Sequence, residues 1–207
     1  MIQTDEYLTI KGRATGIFKD RGSKFIAIAS PAESVDEAMS VIDDIRKEYH
    51  DARHHCYAYM IGNDGENWRV NDDGEPSGSA GNPILGQIKS FGIANVVIVV
   101  VRYFGGTLLG VGGLVNAYRS ASREALSNAV IITRLIEEKY LVEFPYLQMN
   151  SVMKLFKEEN ISQTDQRFEI DCSLVIIIRK TIEERIINKL ESMEGVKCIL
   201  VENQTGI

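Results

Sequence analysis

Proline and tryptophan are scarce in this chain, with four and one residue in 207, and cysteine occurs only three times. Cys56, Cys172 and Cys198 are far apart and show none of the paired spacings of zinc sites or disulfide frameworks. They read as reduced, buried small hydrophobes. No apolar run approaches the ~20 residues that span a bilayer, and no signal peptide precedes residue 20. A soluble, cytoplasmic protein without membrane contact is expected. Excess positive charge is missing too. The formal net charge is −6, with 13 Lys/Arg against 16 Asp/Glu in residues 1–130 and 10 against 13 in residues 131–207. Without a basic tail or stripe, tight charge-driven nucleic-acid binding is disfavoured, although a local basic patch is compatible with this balance. Internal repeats and low-complexity segments are also absent.

What the chain does have is concentrated between Asn95 and Leu126. Val96 to Val101 are six consecutive β-favouring aliphatics, fitting a strand buried on both faces and roughly 20 Å long at about 3.3 Å per residue. Five glycines then fall within nine positions: Gly105, Gly106, Gly110, Gly112 and Gly113. A predicted helix follows, with Leu114, Ala117, Tyr118, Ala121 and Ala125 on one face and Asn116, Arg119 and Arg123 on another. Strand, glycine loop and helix form the arrangement in which a chain most readily offers backbone N–H groups to an anion.

The flanking sequence reads as mixed α and β. Tyr7 to Phe18 is an expected strand, paired with Phe25 to Ala29 across the Lys19–Ser23 turn. Lys19, Arg21 and Lys24 crowd that turn, either as a solvated hairpin tip or as a phosphate-contacting patch. Ser34 and Glu37 form a capping box for an amphipathic helix reaching about His50. Residues 52–61 follow as a strand, with His54, Cys56 and Ala58 on one face and His55, Tyr57 and Tyr59 on the other. Asn63-Asp64-Gly65 is a turn, and Trp68 to Asn71 is the return strand. Asp72 to Gly81 is too rich in breakers for regular structure; Asn82 as cap and Pro83 in the first turn fit the start of a short helix that Gly92 ends, with Ser77 or Ser79 as the alternative cap for an earlier start.

Ser127 to Thr133 is the expected boundary between a domain at 1–130 and one at 131–207. The second domain reads strand (Arg134 to Phe144), helix (Tyr146 to Asn160), strand (Ile161 to Phe168), strand (Ile170 to Ile178), helix (Thr181 to Met193) and strand (Val196 to Val201). Its first helix is expected to bury Tyr146, Met149, Met153 and Phe156. The order βαββαβ is that of ferredoxin-like folds. The fold class is α+β.

The glycine stretch matches neither common phosphate fingerprint. A P-loop needs Lys then Ser/Thr after its last glycine, and the dinucleotide pattern needs a glycine where Val115 stands. What remains is a backbone anion site built from Arg102, Gly105, Gly106, Gly110, Gly112, Gly113, Asn116 and Arg119, or simply close packing of strand and helix. The second candidate is the loop carrying Asp72, Asp73, Gly74, Glu75, Ser77, Ser79 and Gly81. Its acids, with His54 or His55 as contributors, could serve a base or a cation; equally, the segment could be a turn-forming loop. No paired-cysteine or HExxH spacing supports a metal, and no cofactor is assigned. Neither serine sits in a G-x-S-x-G frame, and Cys56 beside His55 cannot pair with it along a strand.

Three stretches in order, HHCYAY at 54–59, DDGEPSGSAGNPIL at 72–85 and VVRYFGGTLLGVGGLVNAYRSA at 100–121, resemble the IMPACT family in its bacterial, two-domain, YigZ-like branch. The resemblance implies a first domain like domain two of ribosomal protein S-five. It also implies a ferredoxin-like second domain resembling the fifth domain of elongation factor G. Eukaryotic members regulate translation initiation, so the resemblance implies a regulatory or binding protein whose partner is RNA, the ribosome or a translation-associated protein. It supplies no catalytic residues. An enzyme or small-molecule binder using a phosphorylated ligand at the glycine loop is the alternative, and the oligomeric state is open.

Overall fold

The computed structural model describes residues 5–63, 65 and 67–201. Asp64, at the centre of one predicted turn, lies outside them. The chain divides into one compact unit from Tyr7 to Arg134 and another formed by the described residues on either side of that span.

The first unit opens with β1 (Glu6–Ile10) and β2 (Ala14–Asp20), where one strand was expected. They belong to different sheets, because the chain turns between them at Lys11–Arg13. β2 and β3 (Ser23–Pro31) form the predicted hairpin, with Asp20 opposite Ser23. Arg21 and Gly22 both have positive φ, as the twist-matched two-residue turn requires. Helix α1 (Val35–Glu48) is capped by Ser34, whose Oγ accepts from Glu37 N at 3.1 Å. Glu37 reaches back to Glu33 N rather than to the cap itself.

β4 (His54–Ile61), β5 (Asn67–Asn71), α2 (Gly81–Phe91), β6 (Val96–Tyr103), α3 (Gly110–Ser127) and β7 (Ile131–Leu135) complete the series. The sheet order is β2-β3-β6-β4-β5, antiparallel throughout, and β1 pairs with β7 separately. β6 is central, and Val96 to Val101 are fully buried as expected. Alternation along β4 and β6 divides the core in two. Cys56, Ala58, Ile98 and Val100 face α2 and α3, while Tyr57, Tyr59, Val99 and Val101 face α1.

The other unit runs β8 (Glu137–Pro145), a 3₁₀ turn at Tyr146–Gln148, α4 (Met149–Glu158), β9 (Ser162–Phe168), β10 (Asp171–Arg179), α5 (Lys180–Glu191) and β11 (Lys197–Leu200). This is the βαββαβ order read from the sequence, in an antiparallel sheet ordered β11-β8-β10-β9. Val142, Phe144, Leu174 and Ile176 on the sheet pack with Val152, Phe156, Ile186 and Leu190 from the helices. Two details differ from expectation. The predicted strand Arg134–Phe144 is divided between β7 and β8. Tyr146 is 63% exposed rather than buried. The 3₁₀ turn advances three residues per revolution, which shifts Tyr146 out of phase with the buried Val152, Leu155 and Phe156. No helix among the described residues is long and apolar enough to cross a membrane.

Candidate functional site

The two motif loops meet at the end of β6. Register places Arg102 opposite Phe25 on β3 and His54 on β4. Its side chain is on the α2/α3 side of the sheet, where it is 7% exposed and donates through one terminal nitrogen to Glu75 Oε1 at 2.6 Å. The Glu75 side chain is itself only 4% exposed. The same oxygen accepts from the Tyr118 hydroxyl at 2.8 Å. Phe25 meets the Tyr118 ring edge to face at 5.1 Å, and the Arg102 guanidinium lies 5.5 Å from Phe25 and 5.7 Å from Phe104. Arg102 Nε is buried without a hydrogen-bond partner among the described residues. This buried ion pair joins residues 27 apart in sequence and ties the acidic loop to the strand before the glycines.

Cys56 completes the cluster. Its Sγ lies 3.0 Å from the Asp72 carbonyl oxygen and 3.2 Å from the Tyr118 hydroxyl. Burial, reinforced by the nearby carboxylates, pushes the thiol well above its ordinary range. Burial likewise raises the Tyr118 phenol, with Cys56 and Glu75 adding to the effect. Both groups are therefore held protonated, and neither is a ready nucleophile. Sequence reasoning placed Cys56 and Tyr118 in the core without seeing their polar contacts. The available signal was that a buried tyrosine needs a partner for its hydroxyl.

Asp72 is a remote helix cap. Its carboxylate accepts from Gly78 N at 2.8 Å, Ala80 N at 3.0 Å and Gly81 N at 2.8 Å. The predicted cap, Asn82, lies inside the helix, which starts at Gly81 with no side-chain bond from Ala80. A carboxylate at the positive end of the α2 dipole satisfies donors that no local side chain reaches. Replacing Asp72 with alanine should cost about 1–3 kcal/mol, from the lost cap and the stranded amides. Denaturant unfolding followed at Trp68, the chain's one tryptophan, reads this loss.

The remaining members of the acidic loop have fixed places. Asp73 has φ of 43° and accepts from His55 N at 2.6 Å, while its carbonyl oxygen lies 2.8 Å from His54 Nδ1. His55 Nε2 lies 3.0 Å from the Tyr49 carbonyl oxygen. Ser79 is fully buried and donates to the Pro76 carbonyl, whereas Gly74 and Ser77 are exposed. Gly81 packs against β5, where an added Cβ would come within 2.9 Å of Asn71 N. Among the described residues, no three His, Cys, Asp or Glu side chains converge as a metal site.

The five glycines separate into different roles. Gly105 N donates to Ser23 Oγ at 3.1 Å, and its backbone rests on the hairpin tip at Gly22. Gly106 is in the exposed loop. Gly110, Gly112 and Gly113 are not loop residues; they form the first turn of α3. Asn116 and Arg119 are exposed along that helix, while Arg102 is buried against Glu75. Phe104, Leu108 and Val111 are also exposed, whereas Tyr103 donates its hydroxyl to Asp51 at 2.7 Å.

The family model described as the Impact N-terminal domain matches residues 21–126, which contain every residue of this cluster. The IMPACT family member YigZ of Escherichia coli (strain K12) is 34% identical over 73% of this chain and 75% of its own length. An IMPACT family member of Haemophilus influenzae is 32% identical over 86% of this chain and 88% of its own. A solved structure of a hypothetical protein, 27% identical, covers 98% of this chain and 100% of its own with a TM-score of 0.72.

Proposed function

Because the chain belongs to the IMPACT family, we propose that it is a regulatory binding protein linked to translation, engaging RNA, the ribosome or a translation-associated protein. One observation carries the preference for binding over chemistry: the polar groups of the motif loops are spent on one another. Glu75 is held by Arg102 and Tyr118, Asp72 caps α2, and Asp73 holds β4. Such contacts make a rigid platform and give all three carboxylates of the acidic loop structural roles. The link to translation rests on the family resemblance. The second unit, ferredoxin-like in its βαββαβ order, adds another surface.

Pure protein should co-sediment with ribosomes or retard labelled RNA at low salt. If it does neither, the ribosome and RNA arms of the proposal fall.

A small phosphorylated ligand is the second reading, favoured by one feature. Helix α3 starts without a side-chain cap and without an acidic residue in its first turn, and its glycines Gly110 and Gly112 have open space where a Cβ would be. A thermal-shift series with nucleotides and phosphorylated metabolites, with and without Mg²⁺, tests it. Ligand at 100 times its Kd adds about 2.7 kcal/mol of stability. No shift with any of them would remove this reading.

A further inference from the structure

The outer face of α3 is left unused by the buried cluster. Beside the buried row Leu114, Tyr118, Ser122 and Leu126, the row Val111, Val115, Arg119 and Arg123 runs along α3 at i,i+4 spacing, half-buried at Val115 and exposed at the other three. Leu108, just before the helix, is 80% exposed and Val111 is 57% exposed. Arg119 and Arg123 stand one turn apart, both exposed and with no ion pair or hydrogen bond among the described residues. Arginines on other helices are paired: Arg46 with Asp43 on α1, and Arg185 of α5 with Glu159. The face therefore runs from an apolar end to a cationic end, on a protein whose overall charge is −6.

We propose that this face docks a short acidic segment of a protein partner. Bulky apolar side chains of the segment rest on Leu108, Val111 and Val115, and its carboxylates meet Arg119 and Arg123. This inference rests on the binding reading above and names the partner's chemistry.

Size and charge select that occupant. From Val111 to Arg123 the face is about 18 Å long at 1.5 Å per residue, and it is one helix wide. A second copy of the chain would need ~1,200–2,000 Å² of buried surface for a stable dimer, more than this strip offers. A long polyanion such as RNA meets the repulsion of the whole protein. A short segment feels mainly the charges within a Debye length of ~8 Å, and along this row those include Arg119 and Arg123, with Glu124 beside the second. The exposed apolar groups on the helix are aliphatic and offer bases no aromatic platform, whereas a helical or extended peptide uses such anchors readily.

Random peptides displayed on phage and selected on the immobilised full-length protein test the idea. Selected peptides should carry several carboxylates around one or two bulky apolar residues. The affinity of a selected peptide should fall about tenfold or more with Arg119→Glu/Arg123→Glu, and similarly with Leu108→Asp, and it should weaken as salt rises. All these positions are exposed, so circular dichroism and the unfolding midpoint should match the parent protein. The inference is overturned if no acidic peptide is enriched or if binding ignores both variants. It is also overturned if an oligouridine binds more tightly and is lost in the arginine variant, which would make the face a nucleic-acid site. Ribosome co-sedimentation that persists in both variants while no peptide is enriched sinks this inference and leaves the wider binding reading standing.

Discussion

Replacing Glu75 with alanine should destabilise the Tyr7–Arg134 unit by about 3–5 kcal/mol, the usual cost of stranding one partner of a buried ion pair. The geometry makes this a severe case. Arg102 is 7% exposed, its Nε already lacks a partner, and the lost carboxylate is the acceptor for both its terminal nitrogen and the Tyr118 hydroxyl. Removing Glu75 would leave a guanidinium without a counter-charge among Phe25, Phe104 and Tyr118. At about 4 °C per kcal/mol, where the ranges for smaller and larger domains meet, the melting point should drop by about 12–20 °C. The chain's single tryptophan, Trp68 on β5, allows fluorescence to follow this unit by itself. Replacing both charges together, Glu75→Leu with Arg102→Met, should recover most of the loss, since an apolar pair leaves neither charge stranded. A Glu75→Ala cost below about 1 kcal/mol would mean that water reaches Arg102 and that the pair is no anchor.

That ion pair also marks how far the sequence could be read. Patterns carried by neighbouring residues were legible: the buried run Val96–Val101, the two faces of β4, the Ser34 cap of α1 and the βαββαβ order after residue 134. The five glycines and the acidic loop were recognisable as two unusual segments, and the structure brings the ends of both to β6. What the sequence did not reveal was partnership across distance. Arg102 was read as part of a backbone anion site, but Glu75, 27 residues away, holds it in a buried ion pair. Asp72 looked like a turn residue, but it caps a helix eight and nine residues further on. Local periodicity cannot report such contacts, because they depend on which loops the sheet order places together. Errors of phase have a different origin. The break between β1 and β2 and the 3₁₀ turn at Tyr146 interrupt periodicities that the residue types alone continue smoothly.

The glycines supply the sharpest division between what composition suggests and what each position does. Gly105→Ala should be strongly destabilising, because its Cβ would fall 1.9 Å from Gly22 C and 2.1 Å from Ser23 N. Those are backbone atoms of the β2–β3 turn, so no side chain can swing aside. The loop and the hairpin tip would have to separate, and the Gly105 N to Ser23 Oγ hydrogen bond would break. Overpacking of this kind costs about 1–3 kcal/mol or more, and loss of the hydrogen bond adds about 1 kcal/mol. Gly112→Ala should do the reverse. Its Cβ would meet nothing within 4 Å, it lies in the first turn of α3 without a positive φ, and alanine is favoured there by about 0.5–1 kcal/mol. Unfolding of the two variants, followed at Trp68, should therefore move the midpoint in opposite directions from the parent. If the phosphorylated-ligand reading holds, Gly112→Ala must also weaken the ligand, because the new methyl group occupies the open approach to the helix amides. If Gly112→Ala gains stability and leaves ribosome, RNA, peptide and phosphorylated-ligand binding unchanged, Gly112 serves none of them. Gly105, at the joint between the loop and the hairpin, is the glycine of this stretch that close backbone contact requires, while Gly106 and Gly110 are required by their positive φ.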